Sequence, residues 1–419
     1  MSKINTSFER ILAEYAQDVY QESRSDDKVK PSTDVQTIHQ KLESLKQKQY
    51  SDIQSTDKQG QRLQWVNFVQ EGGGTLGLAL VGYAFVLEYV GIRFLRLAGT
   101  SAGAINTIFL AGIGSKDDPK TPEIYDMLQD KDRFDINSFV DTKIPFLKSV
   151  ILLLGKGRGI EFNIIWIIIA LLMTPVIIYW VSAVFDLSIS WALIFLMTSG
   201  AVSLYFLFKK IFDKYAFGIN SGDTFEKTVK RELARFHVNS SQDLQKADLV
   251  TTIDRSEHDL DGIKLELVED NIPTSIHTSA LEQLKRRSEK IRIDYSLVAS
   301  DISNQFKVVL PAEADLYFDD PQIINPAQYV RASMAVPVFF EPQYFPEKPR
   351  KSFSGKVISD TCKDRWIKRK GVSVSAVASK GVLVDGGVLS NFPINILHNQ
   401  NIRNPRMPIM GARLMAKRS

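Results

Sequence analysis

Two stretches without a charged residue, 164–184 and 187–208, constrain this chain more than any other feature, and only Phe185 and Asp186 separate them. They hold 21 and 22 residues. As helices they would be about 31–33 Å long, close to the roughly 30 Å hydrocarbon core of a bilayer. Lys156 and Arg158 precede the first run, and Lys209, Lys210 and Lys214 follow the second. Basic flanks mark the cytoplasmic side, so a transmembrane helical hairpin over 162–210 is expected, with Asp186 at the far face. Trp180 and Trp191 lie near that turn, where interfacial aromatics belong. A pair of buried core helices is the alternative, but charge-free runs of 18 or more favour spanning. An interfacial or re-entrant hairpin is disfavoured because neither run has a polar helical face. Pro175 suits a membrane or a protein interior.

Outside these runs the chain is ordinary globular protein. Its 419 residues carry 52 Lys and Arg against 48 Asp and Glu, a net charge of +4. That length is ample for a sizeable core, and the balance excludes collagen, a disulfide scaffold and a wholly disordered chain. So small a charge gives no argument for nucleic acid. The single cysteine, Cys362, has no partner for a disulfide and no companions for a zinc cluster. The N-terminal segment lacks the apolar core of a secretory signal and is too acidic for a transit peptide.

Residues 1–62 are polar, with Phe8, Ile11, Leu12, Tyr15 and Val19 at helical spacing and a capping box at Thr33 and Gln36 leading to Ile38, Leu42 and Leu45. A helical appendage is expected there. From residue 63 to 419 strands alternate with glycine-rich turns and helices. Strands are predicted at 65–70, 94–98, 295–300, 307–309, 382–384 and 409–414, and helices at 76–89 and 102–111. This predicts one α/β domain interrupted by the hairpin. Basic amphipathic helices are predicted at 224–236 and 280–291. They read most simply as solvated faces, although Lys285, Arg286, Arg287 and Lys290 would also suit an anionic lipid surface.

The chemistry concentrates in three places. Gly99, Thr100, Ser101, Ala102 and Gly103 form a G-x-S-x-G pentad between an apolar strand and a helix, the setting of a nucleophile elbow. Upstream, Gly72, Gly73 and Gly74 open a turn in which backbone N–H groups can converge on an anion. That turn also fits G-x-G-x-x-G. A dinucleotide site, however, wants an acidic residue at the end of the following strand, where this chain has the serine pentad. A serine needs a base, and Asp385 stands at the end of an apolar strand before Gly386 and Gly387. The order Ser101, Asp385, His398 is also compatible with a Ser-Asp-His esterase, although His398 follows a short predicted helix and would more simply cap its end.

Taken together, the glycine turn, G-T-S-A-G and D-G-G resemble the patatin-like phospholipases, and the resemblance is to a membrane-anchored, bacterial form. Val298-Ala299-Ser300-Asp301 and the segment from Arg331 through Ser333, Ala335 and Pro337 to Phe340 extend it. Asp385-Gly386-Gly387 followed by Asn391 and Pro393 completes it, over roughly residues 65–414. The resemblance implies a three-layer α/β/α fold and a lipid acyl hydrolase of phospholipase A or lysophospholipase type. It implies Ser101 as nucleophile, Asp385 as general base, Gly72–Gly74 as oxyanion hole, and neither metal nor organic cofactor. The substrate would be a membrane phospholipid or lysophospholipid, met at the bilayer by a catalytic domain whose termini are both cytoplasmic. Two features depart from the family: Leu76 stands where it usually has Arg or Lys, and the hairpin is an insertion its core does not need. The competing class is a lipid-binding membrane scaffold without turnover.

Overall fold

The computed structural model describes residues 7–14 apart from 9, 40–57, 60–114, 117–141, 218–246, 294–346, 357–398 and 407–414, with positions 180, 198, 200 and 202. Apart from those four positions, the expected hairpin lies outside the described residues, as do the Thr33 capping box and the basic segment 280–291. Among the described residues no helix is long and apolar enough to cross a membrane.

The chain divides into two units, the first comprising 1–135, 226–335 and 343–419, the second 136–225 and 336–342. In the second, β4 (Gly218–Asn220) runs parallel to β7 (Val338–Phe340). The Asp141 carboxylate there accepts hydrogen bonds from Ser221 Oγ at 2.8 Å and from the N–H groups of Gly222 and Thr224, both at 3.1 Å.

The first unit is built on an eight-stranded mixed sheet. Its centre is β2 (Arg62–Gln70) parallel to β3 (Ile92–Thr100), joined by α1 (Leu78–Tyr89). Both strands are buried almost without interruption, the pattern of parallel strands covered on both faces. Phe68 stacks on Phe94 with centroids 4.8 Å apart, and Trp65 donates to Ser55 Oγ at 2.8 Å. Helices α1, α2 (Ala102–Gly112) and α6 (Pro326–Ser333), the last preceded in the chain by α4 (Asp223–Arg235) and α5 (Ser241–Lys246), contact the sheet.

Part of the stretch expected as a helical appendage belongs to this sheet. β1 (Gln54–Thr56) is antiparallel to the first residues of β2, and β10 (Ile409–Ala412) is parallel to its last four. The ring of Phe8 meets Phe85 and Tyr89 edge-on at 5.0 and 5.6 Å, and Arg10 pairs with Asp126 at 2.7 Å.

β5 (Asp294–Asp301) decides where the site forms. β6 (Phe306–Leu310) pairs with 297–301, while β3 pairs with 294–298 and β9 (Gly381–Asp385) with 299–301. Because β6 fills one edge, β3 and β9 share the other. They run toward each other along it and stop at adjacent positions, Thr100 opposite Val298 and Asp385 opposite Ala299. β8 (Gln343–Phe345) then covers the free edge of β9.

At the start of β3 a buried ionic knot ties α1 to α3 (Thr121–Gln129). The Glu88 carboxylate accepts from the N–H groups of Lys120 at 2.9 Å and Thr121 at 2.8 Å, and from Thr121 Oγ1 at 2.6 Å. Arg93 donates to the carbonyls of Asp117 and Glu88 at 2.6 and 3.0 Å. Burial pushes the Lys120 ammonium down to about 8, against the pull of Glu88. Glu88→Ala would leave the buried N–H groups of Lys120 and Thr121 without their acceptor and remove one of the carboxylates that offset Arg93 and Lys120, so a loss of about 3–5 kcal/mol is expected. Urea denaturation measures it, and an unchanged midpoint would show that the knot is not a folding determinant.

Candidate active site

β3 ends at Thr100 and α2 begins at Ala102, leaving Ser101 between them at φ 54°, ψ −121°. A non-glycine residue held there costs of order 1–3 kcal/mol and persists only where its surroundings over-determine it. The flanking glycines explain how the turn fits. A Cβ on Gly99 would collide with the Gly103 carbonyl oxygen, and one on Gly103 would lie 2.6 Å from that of Gln70. Thr100 Oγ1 donates to the Ser390 carbonyl at 3.0 Å, joining the elbow to the loop after Asp385. Ala102 packs where a Cβ on Gly77 would come within 2.5 Å of its own. Gly99, Thr100, Ala102 and Gly103 thus surround Ser101 in a tight strand-to-helix turn.

Asp385 closes β9 at 7% exposure, beside Ser101 at 4%. Its Oδ1 accepts the Gly387 N–H at 2.7 Å, and its own N–H donates to the Ala335 carbonyl at 2.9 Å. Burial pushes the Asp385 carboxyl up, opposed by the Ser101 hydroxyl and the Gly387 N–H. The two side chains are thus within electrostatic reach without a well-formed hydrogen bond. Oδ2 is buried with no partner of ordinary geometry, and Ser101 Oγ points instead to Met334 Sδ at 3.5 Å. Such looseness is common in a resting site.

The glycine turn corrects one expectation. The Gly72 N–H donates to the Asn391 carbonyl at 3.1 Å and is not free for an oxyanion. Gly72 serves clearance, since a Cβ there would stand 2.9 Å from the Ser101 Cβ. The N–H groups of Gly73 and Gly74 make no hydrogen bond with another described residue, and Gly74 has φ +56°, which favours glycine. Asn391 fixes the turn by donating to the Gly72 carbonyl at 3.1 Å and to Glu71 Oε1 at 3.2 Å. Glu71 in turn accepts the Leu414 N–H at 2.6 Å.

His398 is exposed after a short 3-10 turn, Ile394–Ile396, and no histidine among the described residues acts on Asp385. The buried Asp301 carboxylate is consumed structurally by Ser303, Asn304 and, at 2.7 Å, the Tyr317 hydroxyl. Cys362 is buried and its thiol pushed up by that burial, which leaves it little thiolate character. Ser333 had no assigned role in the sequence, yet its hydroxyl accepts the Ser101 N–H at 3.0 Å. The S-x-A-x-P pattern around it was the available signal.

A serine on a strained strand-to-helix turn, beside a carboxylate from a second strand that pairs with the same β5 of a mixed sheet, defines an α/β protein of the nucleophile-elbow class. The chain belongs to the patatin-like phospholipase family, whose family model matches residues 68–398. It is 26% identical over 351 residues to "Uncharacterized protein YqhO" of Bacillus subtilis (strain 168), covering 84% of this chain and 71% of that one. The crystal structure of VipD from Legionella pneumophila aligns with 87% of this chain at 16% identity and a TM-score of 0.31. The alignment spans 54% of the VipD chain, about half its length.

Proposed function

We propose that this protein is a lipid acyl hydrolase cleaving membrane phospholipid or lysophospholipid esters through Ser101 and Asp385. The observation that carries the reading is the convergence of β3 and β9 on adjacent residues of β5, which sets a strained serine beside a buried carboxylate. Family membership supports the substrate class.

The chemistry follows from the groups present. Ser101 Oγ turns from Met334 toward Asp385 and attacks the ester carbonyl carbon, passing its proton to the carboxylate. The N–H groups of Gly73 and Gly74 receive the oxyanion. Collapse breaks the bond to the lysolipid or glycerol oxygen, which leaves with the proton from Asp385. Water then attacks the acyl-serine, gives a proton to Asp385, and releases fatty acid as Ser101 regains its own. One ester and one water yield one acid and one alcohol. In the same proposal the runs 164–184 and 187–208 hold the domain, with both termini, at the cytoplasmic face of the membrane where its substrate lies.

The test is fatty-acid release by the full chain, reconstituted with detergent into mixed phosphatidylcholine and phosphatidylglycerol vesicles, beside labelling by a fluorophosphonate probe. Release with labelling at Ser101 is expected. A folded protein that neither turns over nor labels would sink the hydrolase reading in favour of a scaffold.

A further inference from the structure

The turn that ends α6 touches both halves of the site within three consecutive residues. Ser333 is fully buried, and its hydroxyl donates its one proton to the Val298 carbonyl at 2.6 Å. It therefore offers only lone pairs to the Ser101 N–H at 3.0 Å. Met334 sets its Sδ 3.5 Å from Ser101 Oγ, and the Ala335 carbonyl accepts the Asp385 N–H at 2.9 Å. Val298 is also the residue opposite Thr100, so Ser333 is anchored where β3 stops.

We propose that Ser333 is a positioning residue, whose hydroxyl clamps the Ser101 backbone in its strained conformation at the distance from Asp385 that turnover needs. The inference rests on the hydrolase reading above and adds a constraint to it. With its N–H committed to Ser333, Ser101 cannot donate to its own oxyanion, which leaves that work to the glycine turn. Without Ser333 the Ser101 N–H would be buried unpaired, and the backbone would relax toward a conformation that carries Oγ away from the base.

Ser333→Ala is compared with Ser55→Ala, which strips a buried hydroxyl acceptor from Trp65 at the remote end of β2. The readouts are the thermal midpoint, amide exchange of the peptide carrying Ser101, and kcat and KM on a short-chain p-nitrophenyl ester. For Ser333→Ala, kcat is expected to fall about 10- to 100-fold with KM within about twofold, since displacement near 1 Å has that effect. Amide exchange at Ser101 is expected to rise. Ser55→Ala should lower the midpoint and keep kcat. If Ser333→Ala fails to fold, Ser333→Cys, a weaker acceptor, should fall below Ser333→Thr, which keeps the hydroxyl. A kcat loss no larger than that of Ser55→Ala at equal midpoint overturns the positioning role. A wild type that neither hydrolyses nor labels overturns the hydrolase reading instead. Unchanged exchange at Ser101 in Ser333→Ala then overturns the clamp independently.

Discussion

Ser101→Ala is expected to reduce fatty-acid release from phospholipid vesicles by at least about 10³-fold while leaving the fold intact. The magnitude follows from the role: removing Oγ removes the atom that forms the acyl-enzyme, and the hydroxyls described beside it are held in other hydrogen bonds. Cys362 is buried, the Thr100 hydroxyl of the elbow is committed to the Ser390 carbonyl, and that of Ser333 behind it to the Val298 carbonyl. The fold should not suffer, because among the described residues the hydrogen-bond partner of ordinary geometry for Ser101 Oγ is Met334 Sδ at 3.5 Å, a weak contact. The bond from the Ser101 N–H to Ser333 belongs to the backbone and survives the substitution. Backbone strain is likewise retained, since alanine has the same aversion to positive φ. Vesicle hydrolysis and the thermal midpoint check this together. Activity within tenfold of wild type in a folded Ser101→Ala protein would require another nucleophile.

The elements that carry the elbow were legible because their patterns are local. Apolar runs bounded by glycines mark β2, β3 and β9, observed at Arg62–Gln70, Ile92–Thr100 and Gly381–Asp385, each extending a few residues beyond its predicted core. The helix expected over 76–89 begins instead as a 3-10 turn, Gly74–Gly77, before α1, such turns being frequent at helix termini. Long-range register was not legible. No local pattern says that β5 changes partner along one edge from β3 to β9, although that exchange is what brings residues 101 and 385 together. The short Gln54–Thr56 strand was hidden for a related reason, since three residues are too few to show alternation and are fixed by pairing with β2. The Gly72 amide illustrates the same limit inside the site. The glycine is legible in the sequence, but its commitment to the Asn391 carbonyl depends on a loop more than 300 residues away in sequence.

Asp385→Asn should be inactive and, at neutral pH, more stable than wild type. An amide of the same shape can still accept the Gly387 N–H at Oδ1, so the loop is kept, but it cannot take a proton from Ser101 or from water. Loss of the base should therefore reduce turnover by about 10³-fold or more. The stability change has the opposite sign because burial raises the folded-state carboxyl above its ordinary 3.8, so the ionised form is disfavoured in the native protein. The folded state then binds the proton more tightly than the unfolded chain. That contribution is fully present below the unfolded value, near pH 4, and is lost as pH rises through the folded one. At neutral pH the wild type carries an ionised, poorly solvated Asp385 that the amide lacks. The gain from Asp385→Asn, read by urea denaturation, should be present at pH 7 and shrink toward zero at pH 4. The same raised affinity places the acid limb of wild-type kcat/KM above the range of an ordinary aspartate, because only the ionised carboxylate can act as base. An acid limb at or below 3.8, or a stability difference that grows as the pH falls, would separate Asp385 from the proton transfer assigned to it.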